Sequence, residues 1–597
     1  MPATVIGELT ADQSSIILMA AGSDYEVADA ARMLQTLTPL IKPTDPPGAL
    51  RLPATWPAVV QLSATFAPHW RPGPVLAAWI AEQIRRRTPL AATELLVRPP
   101  AGLVPRSYQI EVACMIREVG SVLIFDDPGT GKSASTILGL IERAAAGHTM
   151  LPVLIVAPSS VVDPWIHEFS TWAPQWHARA WRGTPTQRRA LAGTADVYVT
   201  SYGTARMDAA ATNERHAPLM ALRPATVVAD EVHLLRHQAT EQSRAVRRLA
   251  AKAATFIGLS GTPITHSPAD LWPALAALEP GAWPSRERWV ERYCRSVPGD
   301  YSATVLGLNT KAEPEFRTTL LGRHRRVAKA DVLAELPPKV HTVRTVDLPA
   351  EYRKAYDGLE ADMLAELPDG GELSVMSVLA QLTRLAQLAS AAAEVSTRTE
   401  TVPDPDTGLP IQRTHQTVTL KAPSWKVDAL LDILDERPSE PVVAFAPSRQ
   451  LITLAGQAAR QTGRRVGYIV GGQTPRERTG NVAAFQRREL DLICVTTGAG
   501  GVGLTLTAAR TAVFLQRPWS LVEALQSEDR LHRLGAQRHD SIDIVDVVAR
   551  DTIDTRIRTI LRQRAGQLAD LVQDRRIVAE LLGGTDNRRR PAKKAAA

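Results

Sequence analysis

Two short runs carry the clearest chemistry. Asp126, Asp127, Pro128, Gly129, Thr130, Gly131, Lys132 and Ser133 stand directly after the apolar run Val122–Phe125 and ahead of a helical stretch. Glycines so placed let backbone N–H groups close around phosphates at a helix N-terminus. Lys132 can then reach the outer phosphates and Ser133 can ligate Mg2+. The run departs from the usual phosphate loop at its first position, where Asp126 replaces glycine. About one hundred residues further on, Asp230, Glu231 and His233 follow the apolar run Thr226–Ala229. An aspartate at a strand end can hold Mg2+, and the neighbouring glutamate can polarise an attacking water. Alone, two such acids read as a helix N-cap; behind a phosphate loop they read as the hydrolytic pair. Ser260, Gly261, Thr262 and Pro263, again at a strand end, form a third element suited to sensing the nucleotide state, although alone they would make an ordinary turn.

The second half of the chain adds two more runs. Thr496, Gly498, Gly500, Gly501 and Gly503 follow the run Leu490–Val495. Glycine this dense implies close approach of the backbone to a phosphate or to a partner backbone, the alternative being a flexible loop. Gln526, Arg530, Arg533 and Gln537 recur at helical spacing, so they form one stripe of a helix. Two arginines facing one way can offset charge on a transferring γ-phosphate; in isolation they would be a solvated face.

These residues need strands to present them. Val122–Phe125, Val153–Val156, Asp196–Thr200, Thr226–Ala229 and Thr255–Leu259 are short, β-branched and apolar on both faces, with room for a crossover helix between them. Pro441–Phe445, Arg465–Ile469, Leu490–Val495, Thr511–Leu515 and Ile542–Val547 repeat the texture. The pattern predicts two α/β lobes, each with a parallel sheet covered on both sides. The expected organisation is an accessory domain over 1–100, lobe 1 over 101–265, helical insertions and a linker over 266–425, lobe 2 over 426–565, and a C-terminal helix with a basic tail over 566–597. Within the accessory domain, Leu76–Arg87 reads as a helix with a basic edge at Arg85, Arg86 and Arg87. Within the linker, Leu382, Leu385 and Leu388 have helical spacing, and the turn residues around Pro403 and Gly408 predict a hairpin.

At 597 residues the chain is too long for one core, since a domain takes about 150. A net charge of +7 is small, so a nucleic-acid footprint must be a local basic face. Cys114, Cys294 and Cys494 stand far apart with no CxxC pair, which argues against a zinc ribbon or a disulfide framework and for reduced thiols in a cytoplasm. The apolar run Ile16–Ala21 is too short to span a membrane and lacks a basic flank.

Taken together the motifs resemble the superfamily-two helicase core, and within it the Swi/Snf-like DNA-dependent ATPases, over residues 101–565. Pro105 to Gln109 resembles the Q-motif, whose glutamine reads adenine; Asp127 through Ser133 matches the family's phosphate loop, which commonly begins with an acid. Ala157, Pro158 and Ser159 with Trp165 and Phe169 resemble motif Ia, Asp230–His233 the DExH (DEAH-type) box, and Ser260–Pro263 motif III. The run from Arg325, Arg326 and Lys329 through Asp331 to Pro337, Pro338 and Lys339 resembles the segment that joins the lobes in Swi/Snf-like proteins. Motif V departs from the pattern, with Gly498 where many members carry arginine and Leu504-Thr505 in place of Ile-Asn. Arg292, Tyr293 and Cys294 resemble the annealing-helicase branch.

The resemblance implies two RecA-like lobes and ATP hydrolysis with Mg2+, coupled to movement on double-stranded DNA. It implies that Lys132, Glu231, Arg530 and Arg533 are catalytic, and that Gln109, Asp127, Pro128, Gly129, Thr130, Gly131, Ser133, Asp230 and Gly503 hold the nucleotide. Ser133 and Asp230 would ligate the metal. Ser159, Thr496, Gly500 and Gly501 would touch DNA, and His233, Ser260, Thr262 and Gln526 would couple the two events. Forked or branched DNA and a DNA-bound protein are the expected targets, with a monomer, no membrane, and repair among the expected pathways. The alternatives are a strand-separating helicase or restriction-system motor, and a nucleotide-switched adaptor. Alanine- and arginine-heavy usage points to the cytoplasm of a bacterium or of a phage-infected host.

Overall fold

The computed structural model describes residues 4–21, 42–43, 49–88, 94–209, 217–263, 268–283, 285–297, 304–365, 375–403, 410–498, 504–533 and 535–559. The chain divides into two compact units, Met1–Val332 and Leu333–Ala597.

The first unit is built on seven strands in the spatial order His324–Arg325, Val122–Ile124, Thr255–Leu259, Thr226–Asp230, Val153–Ala157, Val197–Ser201, Ala178–Ala180. Every neighbouring pair is parallel. The five strands expected from the sequence are the five interior strands of this sheet, and His324–Arg325 and Ala178–Ala180 form the edges. The interior strands are buried throughout apart from partial exposure at Ser201, as strands covered on both faces must be. The helix Lys132–Ala145 buries Ile137, Leu138, Leu140 and Ile141. Gly139 lets it approach the helix Ser107–Val119 closely, because a Cβ there would stand 2.6 Å from Ile116 Cδ1.

Before this sheet lies a second, five-stranded one, ordered Lys42–Pro43, Ala49–Pro53, Ser15–Ala21, Thr4–Leu9, Trp70–Pro72, with the helices Trp56–Phe66 and Pro74–Arg87. Of the expected basic edge, Arg85 and Arg86 stay exposed and Arg87 turns inward. Arg87 is 4 % exposed, bonded to Glu279 at 2.7 Å and set over the Trp56 ring. Arg85 and Arg86 are both tied to Glu82. The helix Trp56–Phe66 meets the Arg292–Tyr293 pair: Gln61 donates to Tyr293 Oη at 3.2 Å, and Arg292 donates to Thr65 Oγ1 at 3.2 Å.

The second unit carries six parallel strands ordered Lys339–Val346, Ile542–Ala549, Thr511–Phe514, Val442–Ala446, Leu492–Thr496, Val466–Ile469. The 266–425 span is less helical than expected. It includes the antiparallel pair Cys294–Val297 and Thr304–Leu308, and it lends an edge strand to each main sheet. Lys339–Val346 escapes sequence reading because an edge strand buries only part of each face, so its burial alternates weakly. The helix Val375–Leu388 buries Leu385. The hairpin is present as Ala392–Pro403 paired with Pro410–Lys421. The tail expected over 566–597 lies outside the described residues, among which no helix is long and apolar enough to cross a membrane.

Candidate active site

The strand Val122–Ile124 ends at the loop expected to hold phosphate, and the loop turns back through Gly129 and Gly131, both at φ +84°. That left-handed geometry favours glycine, and a side chain at Gly131 would also collide with Gln109, whose Nε2 would lie 2.6 Å from its Cβ. The helix Lys132–Ala145 begins at once, so its first N–H groups face the loop. Lys132 Nζ donates to the carbonyls of Asp126 and Asp127 at 2.8 and 3.1 Å, curled over the loop that would hold phosphate. Ser133 follows it. Thr130 O accepts from Tyr108 Oη at 2.8 Å and from Gln109 Nε2 at 3.4 Å, which fastens the Q-motif helix to the loop. The Asp127 carboxylate is taken up on both oxygens, accepting from Arg326 at 3.2 Å and from Lys329 N at 2.9 Å.

Two strands away, Thr226–Asp230 delivers the acids. Asp230 Oδ2 accepts from Trp165 Nε1 at 2.9 Å, and Oδ1 from Glu231 N at 3.0 Å; the Asp230 carbonyl accepts from Tyr202 Oη at 2.7 Å. Glu231 sits at φ +55°, a conformation that costs a non-glycine residue energy and recurs at functional sites. Its carboxylate lies 3.1 Å from His233 Nδ1. That same nitrogen is 3.0 Å from Ser260 Oγ, which accepts from Thr262 N at 3.1 Å. The expected coupling residues His233, Ser260 and Thr262 therefore form one hydrogen-bonded path leading from Glu231.

The acids are driven apart electrostatically. Burial, compounded by the charge of Glu231, pushes Asp230 up to about 6. Burial also works against ionising Glu231, but the hydrogen bond and charge of His233, aided by Lys132 and Ser260, outweigh it and hold Glu231 below the usual glutamate range. Such a split lets neighbouring carboxylates take different roles: Glu231 is the one that could act as a base, whereas Asp230 is a buried carboxylate that a cation would relieve. Its carboxylate and the Ser133 hydroxyl are both hard oxygen donors of the kind Mg2+ takes. Among the described residues no three His, Cys, Asp or Glu side chains gather into a metal cage, and Mg2+ needs none where waters and nucleotide oxygens complete its shell.

In the second unit the expected single helical stripe does not form. The helix Leu521–Glu528 stops before Arg530, because the next residues are held by the chain around them. Leu506 N donates to Arg530 O at 2.9 Å, Arg533 donates to Leu504 O at 3.1 Å, and Gly535 turns at φ +102°. Gln526 lies on the helix, and the arginines lie on the turn that follows. Arg530 is 5 % exposed and its Nη1 has no hydrogen-bond acceptor among the described residues. Burial, then the neighbouring Arg533 and Arg478, push it down to about 9. This crowded cationic pocket is one that an anion would stabilise.

The expected DNA contacts fare unevenly. Ser159 is exposed at the start of a short helical turn. Thr496 is 6 % exposed, with its hydroxyl 3.5 Å from Ile469 O. Gly500, Gly501 and Gly503 lie outside the described residues. Sequence reading missed the support given by Trp165, Tyr202 and Tyr108. An aromatic N–H or O–H in an apolar stretch signals a partner, but the partner is 65 residues away for Trp165 and cannot be named from spacing.

Comparison with known proteins adds the following. The SNF2-related domain matches residues 78–393, and the helicase conserved C-terminal domain matches residues 425–535. The chain is 26 % identical over 485 residues to the putative ATP-dependent helicase/translocase YwqA of Bacillus subtilis, covering 80 % of this chain and 49 % of that protein. It is 26 % identical over 467 residues to the DNA annealing helicase and endonuclease ZRANB3 of Bos taurus, covering 75 % and 39 %. The chain thus spans about half, or less, of the length of these relatives. The Sulfolobus solfataricus SWI2/SNF2 ATPase core in complex with dsDNA aligns with 82 % of this chain and 99 % of its own, at 19 % identity and a TM-score of 0.37.

Proposed function

This chain belongs to the SNF2-related family, and from that premise we propose that it hydrolyses ATP with Mg2+ and uses the cycle to move along double-stranded DNA, remodelling the DNA or a protein bound to it. The observation that carries the reading is the split pair Asp230 and Glu231, set at a strand end within electrostatic reach of Lys132. Lys132 exchanges the carbonyls of Asp126 and Asp127 for the outer phosphates. Ser133 and Asp230 would hold the Mg2+, which would supply charge neutralisation for phosphoryl transfer. Glu231 orients a water and takes its proton as the water oxygen bonds to the γ-phosphorus and the bond to the ADP oxygen breaks. Arg530 and Arg533 offset the charge on the transferring group. The path from His233 through Ser260 to Thr262 passes the state of Glu231 to the next strand end. Grip through phosphates makes movement indifferent to base sequence and sensitive to salt.

A second reading, strand separation, is favoured by the hairpin of two twelve-residue strands, which could serve as a wedge. Forked or branched DNA, a monomeric state, cytoplasmic residence and a role in repair belong to the same proposal.

The test is phosphate release without nucleic acid and with single strand, duplex, forked DNA and RNA. Duplex should stimulate most, with little unwinding of a fork. Best stimulation by single strand or RNA would remove the duplex assignment, and efficient fork unwinding would favour the wedge. Lys132→Ala and Glu231→Gln should each lower turnover by about a hundredfold or more, with ATP still bound by the Glu231→Gln protein. DNA affinity that follows the nucleotide state in a wild-type protein without turnover would select the switched adaptor.

A further inference from the structure

The segment from Arg325 to Lys339 is bonded at one end to the loop before Lys132 and at the other to the residues that precede Arg530. In the first unit, His324 and Arg325 pair beside Leu123 and Ile124, and the ladder runs on into the phosphate loop. Phe125 N donates to Arg325 O at 2.8 Å, and Asp127 N donates to Val327 O at 3.1 Å. The side chains repeat this attachment. Arg326, with its side chain 9 % exposed, meets Asp127 and also donates to the carbonyls of Phe125 and Gly261, each at 3.4 Å. Lys329 N takes the second Asp127 oxygen. Arg325 donates to Tyr108 O and to Glu111 at 2.8 Å, on the helix that carries Gln109. One short run thus holds the phosphate loop, the glutamine helix and the Ser260–Pro263 turn.

In the second unit the same run is fastened beside the arginines. Pro337 O accepts from His532 Nε2 at 2.9 Å, and Pro338 O accepts from Ile542 N at 2.9 Å. Lys339 Nζ lies 3.4 Å from Glu528 and 3.5 Å from Asp529, the two residues that precede Arg530. Only residues 330–336 separate the two sets of attachments.

We infer that residues 325–339 are a strap that carries the state of the phosphate loop along the chain to the turn bearing Arg530 and Arg533, with Arg326 and Lys339 as positioning residues. The inference rests on the ATPase reading above. Its physical basis is stiffness. Asp127 is held through both carboxylate oxygens and its own N–H, and Lys339 is buried between two acids, so a small shift of the loop cannot be absorbed locally. Lys132 binds the carbonyl of Asp127, which the strap also holds, and that of Asp126 beside it, so its departure for a phosphate changes the forces at that anchor.

The test lengthens the strap without touching either anchor. A six-residue Gly-Ser insertion between Ala334 and Glu335, both exposed, is made in the full chain, with Lys339→Met beside it. A fluorescent ADP analogue reports nucleotide affinity, thermal melting reports folding, and phosphate release with duplex DNA reports turnover. Hydrogen exchange over residues 525–539, with and without ADP, reports transmission independently of hydrolysis. The insertion should keep ADP affinity within about threefold and lose about tenfold or more of the DNA-stimulated kcat, a loss within the usual span of coupling between sites. It should also abolish the ADP-dependent change in exchange. Lys339→Met should lower kcat with the KM for ATP little changed. An insertion protein with wild-type stimulation or a wild-type exchange response overturns the strap, as does a wild-type protein in which ADP leaves exchange over 525–539 unchanged. A wild-type protein that hydrolyses no ATP, yet shows an exchange response that the insertion removes, would uphold the strap and overturn the ATPase reading.

Discussion

Asp230 and Glu231 are neighbours in the chain but not in ionisation, and this difference makes a pH prediction. A carboxyl raised to about 6 is protonated below that value, so kcat/KM should fall on the acid side of about pH 6. Raising Mg2+ should move that limb to lower pH, because proton and cation compete for the same oxygens. A pH–rate series at two Mg2+ concentrations checks both; a limb that ignores Mg2+ would remove Asp230 from the metal site. The same shift carries a stability sign. The folded protein binds the Asp230 proton more tightly than the unfolded chain, so this contribution is present below the ordinary aspartate range and is lost as pH rises through about 6. At this scale the residue types and order of Lys132, Asp230, Glu231 and His233 were legible. The donors that set their charge were not, because Trp165 and Ser260 reach the acids only through folding.

Among elements, the helix Leu521–Glu528 shows where periodicity misleads. Gln526, Arg530, Arg533 and Gln537 have helical spacing, yet the helix ends on Glu528, whose carboxylate is 1 % exposed and takes Arg517 at 2.7 Å and Lys339 at 3.4 Å. Burial opposes the charge on Glu528, but Arg517, Lys339 and His341 more than offset it and hold the group low. Removing one partner from a buried ionic cluster leaves the others uncompensated, so Glu528→Gln should destabilise the protein by about 3 kcal/mol or more. Denaturant unfolding checks this; a loss below about 1 kcal/mol would mean that the cluster is solvated. Helix termini of this kind are decided by the tertiary partners of the next few residues, which spacing alone does not contain.

For the whole molecule, the first hundred residues show how far a fold can be read before it is seen. The five-stranded sheet is not an appendage to its unit. Trp56 Nε1 donates to Thr318 O at 3.0 Å, Gln61 meets Tyr293, and Arg87 meets Glu279. Deleting residues 1–88 should therefore lower the melting temperature of the remaining chain and expose the Trp289–Tyr293–Phe316 aromatic cluster to a hydrophobic dye. Unchanged melting would show that the sheet folds apart. By itself the sequence determined the two parallel α/β sheets, the phosphate loop, the paired acids and the hairpin, since each rests on local chemistry: apolar strands of fixed length, glycines at a turn, charges at a strand end. Only the tertiary structure decided the ionisation split of the acids, the end of the arginine helix, the burial of Thr496 and the two anchors of the 325–339 segment. Those depend on which distant groups share a low-dielectric neighbourhood, and distance in the chain carries no record of that.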